Sequence, residues 1–239
     1  NRIVLAGNAR LGIATGFSRD VVRKNPEGHP VIGADGQPIV DVVKDLRYGS
    51  QWAYHADDLF PSASLIKVPI MVGVFEKIAR GDLSLNSRLK LRRRTRMGGS
   101  GSIKWKQDGT RFTVRRLLDK LIHESDNTAM RILLDEVGMG YMQRQFPKMG
   151  LVYTEIYPEG LSLSSGRVRY ENYTTPREMA MLLEKIYRGE MVNSFASELM
   201  LEILKGHRSR RTRLAKGLPV GWELAHKTGL LRRACHDAG

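Results

Sequence analysis

The stretch SASLIKVPIMVGVFEKIARG, residues 62–81, carries the apolar spacing of a buried helix. Leu65, Val68, Val72, Phe75 and Ile78 recur at three- and four-residue steps, and Gly81 supplies a stop. Pro69 falls inside this pattern and is expected to cost one backbone bond or add a kink. At the start of the helix Ser64 and Lys67 stand three residues apart, which puts both side chains on one face about a turn apart. A serine hydroxyl is a poor nucleophile until a base removes its proton. A desolvated lysine near other cations loses its proton easily enough to be that base. The pair alone is weak evidence, because Ser-x-x-Lys arises often by chance.

Outward from this helix the chain alternates between two periods. Before it, Leu11, Ile13 and Thr15 read as strand. A turn-rich excursion over 20–49 follows, in which Val31-Ile32 and Ile39 to Val43 are expected to pair as a hairpin. A second strand is expected over Gln51 to His55. After it, Thr113 caps a helix whose apolar face is Val114, Leu117, Leu118, Leu121 and Ile122. Ser125-Asp126-Asn127 then breaks the pattern before a helix that ends at Gly138. Thr175-Pro176-Arg177-Glu178 opens another, with Thr175 as N-cap, Pro176 in the first turn and Glu178 completing a capping box. Ser194 to Lys205 is a last helix, and Trp222 to Lys227 returns to strand. A block of helices set between strands of one sheet indicates a two-layer α+β protein.

Two more short segments carry chemistry. Ser125-Asp126-Asn127 is a polar break able to face a cleft, although Ser125 and Asn127 read equally well as helix caps. Lys227-Thr228-Gly229 ends the expected strand, where an edge can pair with an extended substrate and a cation can hold its carboxylate. Together, Ser64-x-x-Lys67, Ser125-Asp126-Asn127 and Lys227-Thr228-Gly229 resemble the motif set of class A β-lactamases and penicillin-binding proteins. The separations, 61 residues from Ser64 to Ser125 and 102 from Ser125 to Lys227, are similar to class A spacing. Phe60-Pro61, Thr174-Thr175-Pro176 and Leu218-Pro219-Val220-Gly221-Trp222 extend the likeness over roughly 11–229.

The resemblance implies an α/β sandwich of β-lactamase type. An antiparallel sheet with helices over 1–60 and 206–239 would carry an inserted all-α subdomain over 61–205. It implies Ser64 as the acylated nucleophile, Lys67 as its activator, and Ser125 as the proton relay to the leaving nitrogen. Asn127 would bind a substrate amide, and Lys227, Thr228 and Gly229 its carboxylate end. The N–H groups of Ser64 and Leu230 would form the oxyanion hole. Arg213 stands where some members keep a second carboxylate-binding arginine, and reads equally as part of a solvated basic run. The deacylating base falls on Glu159, with Glu155 and Glu171 as rival acids. Around it the pattern departs: Leu163 replaces the usual asparagine, and Tyr157 and Asn172 replace the Arg–Asp pair that pins the Ω loop. The terminal elements of the family are expected to be truncated. The implied location is periplasmic or secreted.

Composition narrows the alternatives. With 41% hydrophobic and 27% charged residues in 239, the chain can bury a full core. No stretch reaches the ~18–20 apolar residues that span a bilayer. The single cysteine, Cys235, forms no internal disulfide. No His/Cys cluster has ligand spacing, so neither metal nor organic cofactor is implied. The net charge of +14 favours anionic partners, with dense runs at Arg92-Arg93-Arg94 with Arg96 and at Arg208, Arg210, Arg211 and Arg213. A nucleic-acid site would call for interleaved aromatics, and only Trp105 between Lys104 and Lys106 offers one. Three functions follow: a β-lactamase; a D-Ala-D-Ala peptidase that releases β-lactams slowly; and a basic binding module without catalysis. The intact motif set favours the first two, with a small carboxylate-bearing β-lactam or peptide as substrate.

Overall fold

The computed structural model of the chain describes residues 3–7, 41–158, 160, 171–206, 212, 214, 215, 218, 221–231 and 234–239. Within them, helices lie against one five-stranded antiparallel sheet. The sheet is built from β1 (Ile3–Gly7), β2 (Asp41–Asp45), β3 (Gln51–Tyr54), β8 (Lys227–Leu231) and β9 (Ala234–Ala238), in the order β3-β2-β1-β9-β8. Two-stranded ladders join β4 (Phe60–Pro61) to β7 (Tyr173–Thr174), and β5 (Arg88–Lys90) to β6 (Arg111–Thr113).

The helices are α1 (Lys67–Ala79), α2 (Val114–His123), α3 (Asn127–Val137), α4 (Met139–Met149), α5 (Pro176–Arg188) and α6 (Ser194–Lys205). Helix α1 is the hub, packing against α2, α3, α4 and α6. Lys67 through Phe75 are buried without interruption, so α1 is apolar all round rather than striped. Gly73 lets α4 close on it, since a Cβ there would sit 2.4 Å from the Met142 sulfur. Helix α5 lies on β1 and β2, and Lys44 of β2 pairs with Glu184 of α5 at 2.6 Å.

Several expectations are corrected. The strand over 11–15 and the Val31-Ile32 arm lie outside the described residues. Within the other arm, β2 pairs with β1 and β3. The last strand does not run from Trp222 to Lys227: it starts at Lys227, because ladder partners exist only from Lys227, opposite Ala238, onward. The motif therefore opens β8 instead of closing a strand. Pro69 neither kinks nor weakens α1, since a 3-10 turn over Ala63–Ile66 precedes the helix and leaves Pro69 in its first turn, where an N–H has no intrahelical partner anyway. Only half of the expected capping box forms. Thr175 Oγ1 accepts from the Glu178 N–H at 3.2 Å, while the Glu178 carboxylate turns away to take the N–H groups of Val152 and Tyr153 at 2.6 and 2.8 Å. Helix α4 was not anticipated; Met142, Phe146 and Met149 form its buried stripe.

Candidate active site

Three elements converge on Ser64. The 3-10 turn ahead of α1 presents Ser64, α1 begins with Lys67, and the α2–α3 junction supplies Ser125 to Asn127. Strand β8 closes the third side. A Cβ on Gly229 would lie 3.2 Å from the Ala63 Cβ, so glycine there lets β8 run against the residue before Ser64. Ala63 and Ser125 both hold positive φ, 48° and 51°, conformations that cost a non-glycine residue energy and recur where a site is shaped.

Lys67 is 1% exposed and its Nζ has four neighbours within hydrogen-bond reach. They are Ser64 Oγ at 3.1 Å, Ser125 O at 2.6 Å, Ser125 Oγ at 2.9 Å and Asn127 Oδ1 at 2.7 Å. The two carbonyl oxygens can only accept, so they fix two N–H bonds. The remaining tetrahedral position faces both hydroxyls. It holds a third proton in the ammonium, or a lone pair that accepts from a hydroxyl in the amine. Burial, and then the ammonium of Lys227, hold the Lys67 pKa well below the ordinary lysine range, with Asp126 opposing.

Lys227 is fully buried, with its Nζ 3.1 Å from Ser125 Oγ and 2.6 Å from Thr228 O. Burial lowers its pKa to about 7, against the supporting charge of Asp237. Ser125 Oγ thus stands between two lysine nitrogens. Asp237 lies opposite Thr228 in the ladder, accepts from the Leu214 N–H at 3.0 Å, and meets His226 Nδ1 at 2.7 Å.

Asn127 is only 7% exposed, and its amide is held at both ends: Oδ1 by Lys67, and Nδ2 donating to Gly98 O at 2.9 Å. Its orientation follows from those partners. The cap of α3 is neither Ser125 nor Asn127 but Asp126, which is fully buried. Asp126 Oδ1 accepts from Ala129 N at 2.8 Å, while Oδ2 accepts from Ile103 N at 2.8 Å. This second bond ties the segment over 97–106 across the α3 start, against Gly101, whose missing Cβ would lie 2.1 Å from the Asp126 carboxyl carbon. Asp126→Ala should therefore remove a cap and strand a buried N–H. The expected loss is about 2–4 kcal/mol, read from the midpoint shift in urea unfolding. A shift under about 0.5 kcal/mol would refute this role.

Thr228 is half-buried, and the Leu230 side chain is exposed at the sheet edge. Glu159 and Arg213 lie outside the described residues, as does Leu163. The flanks of Glu159 are described. Tyr157 N–H donates to Asn172 Oδ1 at 2.6 Å, and Asn172 O accepts from Ser62 N at 2.7 Å. A Cβ on Gly160 would sit 2.6 Å from Asn172 N. Residues 157 and 160 are thus gathered on Asn172, which is bonded in turn to Ser62, two residues before Ser64. The sequence shows Tyr157 and Asn172 as a departure from the family's Arg–Asp pair; that a Tyr157 backbone N–H bonds the Asn172 amide is not legible there. Asp126 could have been found from its place immediately before a helical run. No side-chain cluster able to hold a metal occurs among the described residues, and no helix there is long and apolar enough to cross a membrane.

Known proteins are similar to this chain in sequence and fold. A family model described as "Beta-lactamase enzyme family" matches residues 30–239. "Beta-lactamase 3" of Bacillus cereus is 28% identical over 181 residues, covering 74% of this chain and 56% of that protein. A β-lactamase of Streptomyces albus G is 28% identical over 205 residues, covering 82% and 65%. The chain thus spans about three-fifths of the length of these relatives. A β-lactamase structure from Sphaerobacter thermophilus superposes with a TM-score of 0.74 at 26% identity, over 80% of this chain and 72% of that one. A point mutant of PBP-A, solved as an acyl-enzyme complex with penicillin G, gives 0.71 at 26% identity, over 82% and 76%. With the motif geometry and a family match running from residue 30 to the last, the chain belongs to the β-lactamase enzyme family.

Proposed function

We propose that the protein is a class A-like serine β-lactamase that opens β-lactam rings through an acyl-enzyme on Ser64. The observation that carries this is the Lys67 nitrogen, whose one position not fixed by a carbonyl faces both Ser64 Oγ at 3.1 Å and Ser125 Oγ at 2.9 Å. Neutral Lys67 takes the Ser64 proton as Oγ attacks the lactam carbonyl carbon. The N–H groups of Ser64 and Leu230 take the developing oxyanion. The C–N bond breaks, the ring nitrogen receives the Ser125 proton, and Lys67 returns its proton to Ser125. Lys227, Thr228, Gly229 and Arg213 hold the substrate carboxylate. Glu159 then activates water against the Ser64 ester. Asn127 serves chiefly to orient Lys67, with one amide hydrogen left for a substrate carbonyl.

A penicillin should add its intact mass to Ser64, and Ser64→Ala should abolish the adduct while keeping the fold. An adduct that survives Ser64→Ala, or maps elsewhere, would sink the mechanism. The second reading is a penicillin-binding peptidase acting on D-Ala-D-Ala stems. The likeness to PBP-A favours it, and the first half-reaction is shared. Hydrolysis of a chromogenic cephalosporin separates the two by the lifetime of the acyl-enzyme. Either substrate places the protein in a bacterial cell envelope, outside the cytoplasm.

A further inference from the structure

The acyl-transfer chemistry uses two lysines and, with Arg213, one arginine; most of the chain's positive charge lies elsewhere. Residues 88–111 hold nine Lys and Arg against one acid, Asp108. The fold draws this segment into one surface. In the β5–β6 ladder Lys90 stands directly opposite Arg111, a like-charge pair that disfavours the hairpin unless a counter-charge meets it. Beyond it, Arg92, Arg93 and Arg94 are exposed around a 3-10 turn. Arg96 then donates to the carbonyls of both Lys104 and Lys106, the latter at 2.8 Å, clasping the Trp105 turn to the end of the arginine run. The arginine run and the Lys104–Lys106 segment, eight to ten residues on from Arg96, thereby become neighbours.

Few of these charges are neutralised. Arg94 reaches Asp135 at 3.5 Å and Arg96 reaches Asp108 at 3.8 Å. Among the described residues no carboxylate lies within ion-pair range of Arg88, Lys90, Arg92, Arg93, Lys106 or Arg111. Trp105 is 81% exposed, with the Lys104 ammonium 5.1 Å from its ring centroid. An apolar ring held open between cations is a surface for stacking, not packing. The same segment borders the active site: Ser100 O accepts from the Asn127 N–H at 3.1 Å, and Met97 N–H donates to Thr128 Oγ1 at 3.0 Å.

We infer that this face docks an anionic cell-wall glycan, its acidic groups on the arginines and a sugar ring on Trp105, holding the protein on the wall beside the Ser64 site. Planar guanidinium groups suit carboxylate and phosphate oxygens, and their number suits a polymer over a single anion. A single-stranded nucleic acid would need several aromatics for successive bases, and residues 88–111 offer one exposed indole, Trp105. The choice of a wall glycan over another polyanion rests on the acyl-transfer reading of the neighbouring site.

The test is co-sedimentation of the full chain with purified insoluble sacculi. Binding is expected at low ionic strength and should be released at about 0.5 M salt, where surface charges are screened beyond a few ångströms. Removing four charges with Lys90→Gln, Arg92→Gln, Arg93→Gln and Arg111→Gln should weaken binding at least about tenfold. Trp105→Ala should weaken it separately, and both variants should acylate with penicillin at the wild-type rate. Sacculi stripped of phosphodiester polymers identify the acidic groups: retained binding assigns the peptide-stem carboxylates, lost binding the phosphates. Wild-type protein that stays in the supernatant, a four-charge variant that binds equally, or full displacement by an oligothymidine would each overturn the inference. Sedimentation without any penicillin adduct would leave the docking face standing and remove the acyl-transfer reading instead.

Discussion

Lys67→Met should slow acylation of Ser64 by roughly 10²–10⁴-fold, the range that a positioned general base contributes. Methionine fills much of the same volume, so the measurement is pre-steady-state acylation on protein first shown to melt cooperatively. The pH dependence is the sharper part of the expectation. Lys67 acts as a base only when neutral, and its pKa lies well below the ordinary lysine range. The acylation rate should therefore rise with pH through that depressed value. Lys227 binds a carboxylate only when charged, and its pKa in the free enzyme is about 7. Affinity for a carboxylate substrate should fall as pH rises past about 7, the bound carboxylate itself moving that limb upward. The two lysines share Ser125 Oγ, at 2.9 and 3.1 Å, and the proposed mechanism needs one charge between them, on Lys227. A substrate esterified at its carboxylate should lose the falling limb and keep the rising one. Acylation by Lys67→Met within tenfold of wild type, or with the rising limb intact, would remove Lys67 from the mechanism.

Much of this site was legible before any coordinates. Ser64 and Lys67 are three apart on a helical period, and that spacing alone sets their side chains together. The meeting of Ser64, Ser125 and Lys227 is a different matter. It depends on β8 running against the Ala63 turn, which no local pattern encodes; only likeness to a family supplied it. Errors clustered where local rules compete with partners. The last strand was placed too early because Trp222 to His226 is apolar enough to pass, whereas a strand forms only where a ladder partner exists. Glu178 satisfied the capping-box pattern, yet its carboxylate found better-placed donors in Val152 and Tyr153. Asp126 stands between two residues with chemistry, and its own role is to cap α3 and hold Ile103 N. The bond that ties Ile103 to the site spans 23 residues and leaves no sequence trace.

The second large effect concerns Glu159. Of its rivals, Glu155 is exposed where its N–H meets Tyr173 O, and the Glu171 carboxylate accepts from the Asn172 N–H at 2.8 Å. The residues around Glu159 are tethered instead. Tyr157 and Gly160 close on Asn172, and Asn172 O holds Ser62 N at 2.7 Å, two residues from Ser64. Those contacts run through neutral groups, a backbone N–H and the Asn172 amide and carbonyl. Glu159→Ala should then leave the acylation burst nearly intact and slow deacylation by roughly 10²–10⁴-fold, turning hydrolysis into a stable mass adduct on Ser64. Asn172→Ala should act in the same direction but less completely, since it loosens the tether and leaves the carboxylate in place. Glutamine at 159 should not rescue, because an amide accepts hydrogen bonds but takes no proton from water. Turnover of Glu159→Ala within tenfold of wild type would exclude Glu159 as the base. If the wild-type acyl-enzyme is itself long-lived, the β-lactamase reading gives way to the penicillin-binding peptidase.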